Sequence, residues 1–434
     1  MSAMTAATSQ PGTFAAPTRR LLLVSYWYPP AIGAAAERIG AFARFLPCHG
    51  WAVDVLTAQR TTAPPDLPAV TLRSVHDPQG GAVETFPDFD PRRVKAPDLK
   101  RYLRDFIFPD RFRRWMHAAE EAIEQNLRQK RYDAILASFP PASAAWLGLR
   151  LHRACGAPFF LDLRDTWFGP GGYEPLYAFA KRRHRALYTD CVRAADGVIA
   201  VSQAMADDLL RAFALPPERV TVIPNGFDPA LPPMPPPPAP PALNGELIFA
   251  HVGTVIARNR PELFLDSLLK LPPDVARGIH VRFVGNLSRD YLCDIGLSQR
   301  VEATGLLPRE QAWKQIADVH ALLLLTGREA GHWTPRAKLF EYLAARRPIL
   351  CLEEAPGSCD YRLLSSIAPD RSFRAALGDP AGLADAVRQV RAFCNTHAGA
   401  DLAPPLALGE HSRETHAARL AEYLRARTHT GAAI

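Results

Sequence analysis

The chain has 434 residues, of which 48% are hydrophobic and 22% charged, and it carries a net charge of +7. That length exceeds one ordinary core, so two domains of about 200 residues each are expected, and the composition excludes a broadly disordered chain. The positive balance suits anionic ligands or an anionic membrane surface; without zinc-finger spacing or an RNA-binding signature, nucleic acid is the weaker partner.

Residues 1–18 are rich in Ala, Thr, Ser and Pro and lack a charged start followed by an apolar run, so a disordered leader is expected rather than a signal peptide. Leu21–Tyr26 reads as a strand. It leads through Pro-Pro and a Gly/Ala-rich loop into a helix to about His49, and then into a strand at Ala52–Thr57. This strand–loop–helix–strand order implies a parallel sheet. Residues 60–100, with proline, aspartate and glycine, read as an irregular insertion.

The alternation resumes with a helix at Arg111–Gln129, strand Asp133–Ser138, helix Ser143–Cys155 and strand Pro158–Leu163. Helix Leu176–Ala194, strand Gly197–Val201, helix Gln203–Phe213 and strand Val220–Ile223 complete a first doubly wound unit, residues 19–228. Pro229–Pro241 holds nine prolines in thirteen residues. Such a tract resists helix and sheet and reads as a semi-rigid connector, residues 229–243, more readily than as a polyproline ligand for a signalling module.

Strands then recur at Glu246–Val252, His280–Val284, about Arg300–Glu302, Val319–Leu325 and Pro348–Leu352. Helices at Pro261–Lys270, Arg309–Ala317, Pro335–Ala345 and Ala381–Phe393 complete a second doubly wound unit, residues 244–405. A last amphipathic helix, Ser412–Arg427, lies in the terminal segment 406–434. Two such α/β domains facing a cleft, with the ligand at the carboxyl ends of the strands, is the expected architecture.

No apolar run approaches the ~20 residues needed to span a bilayer. The seven cysteines are scattered and never form C-x-x-C, which points to reduced thiols in the cytosol. The thirteen histidines show no H-E-x-x-H or paired ligand spacing, so no metal is expected. Residues 91–114 hold nine Lys/Arg against three Asp with aromatics interleaved, and Lys181–Arg185 adds a second basic cluster. This pattern is either a solvated amphipathic face or a surface for an anionic membrane or lipid-linked acceptor.

Several junctions can carry chemistry. In Thr334–Leu350 a helix opens at a proline, and Lys338 and Glu341, three residues apart, share one face near its start. A lysine and a helix N-terminus suit phosphate, and a carboxylate suits ribose hydroxyls. Gly253, Thr254, Arg258 and Arg260 follow a strand, where glycine permits close approach and arginines pair with diphosphate; surface arginines are the plainer alternative. Asp162, Arg164, Asp165 and Trp167 stand at a strand's carboxyl end, as a polar-ligand site or as a buried Arg–Asp pair that shapes the loop. Gly33 lies in a strand-to-helix loop that does not match G-x-G-x-x-G, which disfavours a nicotinamide or flavin site. Pro224–Asp228 is a turn at the hinge or a ligand contact in equal measure.

These pieces, in this order, resemble the family 4-type glycosyltransferases of the GT-B fold. The carriers are Leu22–Gly33, Ser138–Ser143, Leu161–Trp167, Ala195–Ser202, Val222–Asp228 and Lys338–Ala344, spanning roughly residues 20–355. The resemblance implies transfer of a sugar from a nucleotide diphosphate donor with retention of configuration. The acceptor would be a glycan, a lipid-linked sugar or a polysaccharide, and the nucleotide sugar would be a co-substrate with no separate cofactor. It places the donor mainly on the second domain, with Glu341 on the ribose, Lys338 at the diphosphate, and Arg258 or Arg260 neutralising the leaving group. Gly33 would sit beside the donor phosphate or the acceptor, and Asp162, Arg164 and Asp165 on the acceptor side. In many relatives the last helix crosses back to the first domain. Trp333 stands where many members carry a second glutamate, and Gly33-Ala34 where many carry paired glycines. A nucleotide-sugar epimerase of the same fold and a non-catalytic partner of another transferase are the alternatives. The expected location is cytoplasmic, with a peripheral contact at the cytoplasmic face of a membrane.

Overall fold

A computed structural model describes residues 18–31, 33–58, 67–78, 87–93, 103–168, 173, 175–236, 238, 245–327, 334–397, 400 and 402–428. The leader, much of the 60–100 insertion, part of the proline tract and Trp333 lie outside the described residues.

The apolar run Arg19–Val24 forms strand β1, whose last four residues are fully buried. It pairs in parallel with β2 (Trp51–Ala58) on one side and β4 (Ala134–Phe139) on the other, so Leu21 lies between Val53 and Ala134. With β3 (Val70–Val75), β5 (Phe159–Leu163), β6 (Gly197–Ala200) and β7 (Val220–Val222), they make a seven-stranded sheet ordered β3-β2-β1-β4-β5-β6-β7, parallel throughout. The second sheet has six parallel strands, β8 (Leu247–Val252), β9 (Ile279–Val284), β10 (Val301–Ala303), β11 (Ala321–Thr326), β12 (Ile349–Glu353) and β13 (Ser372–Ala376), ordered β10-β9-β8-β11-β12-β13. In each sheet the order reverses beside the first strand, β1 or β8, and such a switch point leaves a crevice at the strand carboxyl ends. Both sheets are covered on two faces by apolar side chains, as all-parallel sheets require.

Two strands escape the sequence reading. β3 falls within the stretch read as an irregular insertion, and β13, with the helix Cys359–Ile367 before it, falls where no element was expected. Both are edge strands with half-exposed faces, so neither carries a continuous apolar run. The helix Arg309–Lys314 stops short of the expected Ala317, and Pro335 and Arg336 precede rather than begin the helix Ala337–Ala344.

The described part of the proline tract is held to the second domain. Trp313 Nε1 donates to the Pro232 carbonyl at 3.0 Å, Arg347 Nη2 to that of Pro235 at 2.8 Å, and Met234 is buried. The last helix, Arg413–Thr428, returns to the first domain. Ala417, Leu420, Ala421 and Leu424 join the cluster of Leu21, Leu23 and Val53 beneath the sheet. Tyr423 Oη donates to the Arg219 carbonyl at 2.7 Å and passes over Gly197, where a Cβ would meet it at 2.6 Å.

Candidate active site

A cleft of about 510 Å³ opens between the carboxyl ends of the two sheets. On the first domain its wall includes Gly33, Glu37, Pro140, Arg164, Asp165 and Asn225; on the second, Gly253, Thr254, Arg258, Arg309, Arg336, Lys338 and Glu341.

The helix Ala337–Ala344 turns its start toward this cleft: Thr334, Pro335, Arg336 and Ala337 all line it. Tyr342, buried in the same helix, accepts the Val252 N–H at 2.7 Å, which fixes the helix to β8. Lys338 Nζ stands 3.0 Å from His251 Nε2. The other nitrogen, Nδ1, lies 3.0 Å from the Leu323 carbonyl, which can only accept. The His251 proton is therefore on Nδ1, and Nε2 accepts from the lysine. Burial, then the Lys338 cation, holds His251 well below the usual histidine range. Burial, reinforced by Arg336, brings Lys338 down to about 7.

Gly253 follows β8 with φ 103, a left-handed backbone that favours glycine, and a Cβ there would lie 3.2 Å from Lys338 Nζ. Gly285 lies directly under it, and a side chain at Gly285 would collide with the Gly253 carbonyl. Gly327 supports the Arg258 carbonyl in the same way. Gly285→Ala should therefore displace the Gly253 loop. Overpacking of this kind costs about 1–3 kcal/mol of folding stability. Denaturant unfolding checks it, with an unchanged midpoint as the contrary result.

Glu341 accepts from Arg309 Nη2 at 2.8 Å and lies 3.9 Å from Arg413. Arg309 also pairs with Asp228 at 3.3 Å, and Arg413 pairs with Glu37 and donates to the Gly226 carbonyl at 2.9 Å. Burial, then the neighbouring Glu37, raises Glu341, with the two arginines opposing. On the facing wall, burial raises Asp165, opposed first by the Thr166 N–H it accepts and then by the Arg258 and Arg164 cations. Three buried polar atoms at the cleft have no hydrogen-bond partner among the described residues: Arg309 Nε, Thr334 Oγ1 and Arg336 Nη2. Unsatisfied buried groups are rare, and three at one cleft suit a polar, anionic ligand.

Gly33, Arg164, Asp165, Gly253, Thr254, Arg258, Lys338 and Glu341 thus meet at one cleft. Three expected site residues do not. Asp162 is fully buried in β5, where it accepts from Arg38 Nη2 at 2.8 Å and Ser138 Oγ at 2.8 Å. It acts at one remove, because Arg164 Nε donates to the same Ser138 hydroxyl at 2.8 Å. Trp167 is a core residue, 1% exposed and stacked on Phe139 at 4.2 Å. Arg260 turns away to pair with Glu262 at 2.6 Å and Glu354 at 3.1 Å. Sequence reasoning missed Glu37, Arg309, Arg336 and the supporting Gly285. Arg309 carried one usable signal, its place at a helix start just after Pro308 in the second α/β unit.

Two parallel Rossmann-like sheets facing a cleft of this kind define the GT-B class of fold, and known structures agree. Sucrose-phosphate synthase from Thermosynechococcus elongatus superposes with a TM-score of 0.68 at 16% identity, covering 95% of this chain and 100% of that one. HepE from Anabaena in complex with UDP-glucose gives 0.60 at 16%, covering 94% and 100%. The catalytic domain of starch synthase IV from Arabidopsis thaliana bound to ADP and acarbose gives 0.62 at 11%, covering 96% and 100%. No curated protein matches the chain. Residues 33–226 match the glycosyl transferase 4-like domain, and the fold of the whole chain is of the GT-B type.

Proposed function

We propose that the protein moves a sugar from a nucleotide diphosphate donor to a glycan, lipid-linked or polysaccharide acceptor, with retention of configuration. The observation that carries this is the Lys338–Glu341 pair at a helix start in one wall of the cleft, opposite Gly33 and Asp165 in the other. Two of the similar structures hold UDP-glucose or ADP, in keeping with a nucleotide-linked donor here.

In this reading the diphosphate sits against Lys338, the helix start and Arg258. As the sugar–phosphate bond stretches, negative charge grows on the leaving group, and donors already fixed in place stabilise it without reorganising. Glu341, held by Arg309 and Arg413, takes the ribose hydroxyls. The acceptor enters from the Arg164–Asp165 side, and its hydroxyl attacks from the face the leaving group vacates. Its proton passes to the departing phosphate, so side chains alone carry the charge and no metal or other cofactor is required. Closure of the cleft limits hydrolysis by water. The described cysteines are all free thiols, which suits a reducing compartment such as the cytosol.

The test is a thermal-shift panel of nucleotide sugars and free nucleoside diphosphates, followed by transfer assays with the stabilising donors. The expected result is stabilisation by one donor class and a product with the donor's anomeric configuration, read from NMR couplings. An inverted product overturns retention, and stabilisation by none of the nucleotides overturns the transferase reading.

A further inference from the structure

Seven large apolar side chains are exposed among the described residues, and four of them lie in two segments that meet on the first domain: Leu103 (54% exposed), Phe106 (59%), Leu176 (42%) and Tyr177 (37%). The rings of Phe106, Tyr177 and the half-buried Phe179 form a triangle with centroids 5.4 to 5.7 Å apart. Asp105 ties the segments together by accepting the Leu176 and Tyr177 N–H groups at 2.6 and 3.0 Å and the Tyr173 hydroxyl at 2.8 Å.

The charges around this apolar tip are sorted by sign. The two acids in 103–114 face inward: Asp105 is buried, and Asp110 accepts from Ser143 and Phe112. The exposed charges in 103–114 and 176–185 are Arg104, Arg111, Arg113 and Arg114 on one segment and Lys181, Arg182, Arg183 and Arg185 on the other, all cationic. Arg183 lies over Phe108 at 4.2 Å, so the second basic cluster reaches the first.

We infer that this face docks peripherally on a bilayer containing anionic phospholipid, with Phe106, Tyr177, Leu103 and Leu176 entering the interface and the surrounding arginines and lysines on the headgroups. An apolar tip inside a cationic ring matches both layers of such a surface, hydrocarbon beneath negative headgroups. A second copy of the chain would bring a like-charged ring against this one, and an acidic polymer would leave the rings in water. No described helix is long and apolar enough to cross a membrane, so contact is from the side. The face is tied to the cleft: the loop after β5 begins with Arg164 and Asp165, and the Tyr173 N–H donates to the Trp167 carbonyl at 3.0 Å before the chain reaches Leu176. Docking would bring the acceptor wall toward the membrane.

Co-sedimentation of the full chain with vesicles tests this. Binding is expected to phosphatidylcholine vesicles that include phosphatidylglycerol, to weaken as salt screens the charges, and to be near background on phosphatidylcholine alone. Replacing Lys181 and Arg182 together by Glu should reduce partitioning by well over tenfold, since each cation removed costs about fivefold. Phe106→Ser and Leu103→Ser, at positions 59% and 54% exposed, should each weaken binding to the anionic vesicles without abolishing its salt dependence. Equal binding by wild type and all three variants, or loss of self-association rather than of vesicle binding in the variants, would overturn the assignment.

Discussion

Lys338→Ala should lower kcat/KM by roughly 100- to 1,000-fold, the usual cost of removing one fixed donor from a site of developing negative charge. The lysine sits between Gly253 and His251, and burial has already brought it down to about 7. Its charge is therefore conditional on what fills the cleft. An incoming diphosphate favours the ammonium, so the empty protein near neutrality takes up a proton as the nucleotide binds. Below about pH 7 the free protein carries the charge before binding; above it, each further pH unit weakens nucleoside diphosphate affinity by about tenfold until the group also titrates in the complex. Calorimetry in two buffers of different ionisation enthalpy should register the uptake at about pH 8, and the Ala variant should show neither the uptake nor the slope. The same shift acts on folding with the opposite sign. Between about 7 and the ordinary 10.5 the unfolded chain holds a proton that the folded chain lacks, so this lysine's contribution to stability rises with pH across that window. Lys338→Arg should not restore activity, because a planar, permanently charged guanidinium cannot share the His251 nitrogen in the same space. Unchanged donor turnover in Lys338→Ala would remove the lysine from the site.

Asp162→Ala should destabilise the fold by about 3–5 kcal/mol, the range for breaking a buried ion pair from one side. Asp162 is fully buried and Arg38 is 5% exposed, and the guanidinium also donates from Nη1 to the Pro224 carbonyl at 2.8 Å. Removing the carboxylate strands a cation beneath the cleft and leaves the Ser138 hydroxyl without its acceptor. Denaturant unfolding should show a lower midpoint at an unchanged slope. Replacing both partners with apolar residues of similar volume should recover much of the loss, because the pair's desolvation cost is removed with it. A direct acceptor ligand would behave differently: its loss would leave the midpoint in place and reduce the rate.

The contrast shows where sequence reasoning stops. The buried strands were legible because both faces are apolar, as in Ala321–Thr326, and the Lys338–Glu341 face was legible because helical spacing alone sets it. Strands β3 and β13 were not, because an edge strand half open to solvent mixes Thr, Arg, Ser and Ala with few apolar anchors. A strand's carboxyl end marks where a ligand binds but not which residue reaches it. Asp162 lies within β5 and turns to Arg38, 124 residues away, whereas Arg164 and Asp165 lie past its end and reach the cleft. Arg260 was misplaced for the same reason, since its partner Glu354 lies 94 residues away. The anchors of Glu341, Arg309 and Arg413, come from two other helices, and only the folded chain brings them together.

The returning C-terminal helix has a consequence for synthesis. The strip of the first sheet that it covers, including Leu21, Leu23 and Val53, is made well before Ala417, Leu420 and Leu424. At about 5–20 residues per second, the span between β7 and that helix takes roughly 10–40 s to emerge. Throughout that interval the nascent first domain holds an uncovered greasy strip, a natural target for chaperones that attend the ribosome. A stop codon near residue 410 would make the exposure permanent, so a truncation that leaves every cleft-lining side chain in place should still yield insoluble protein.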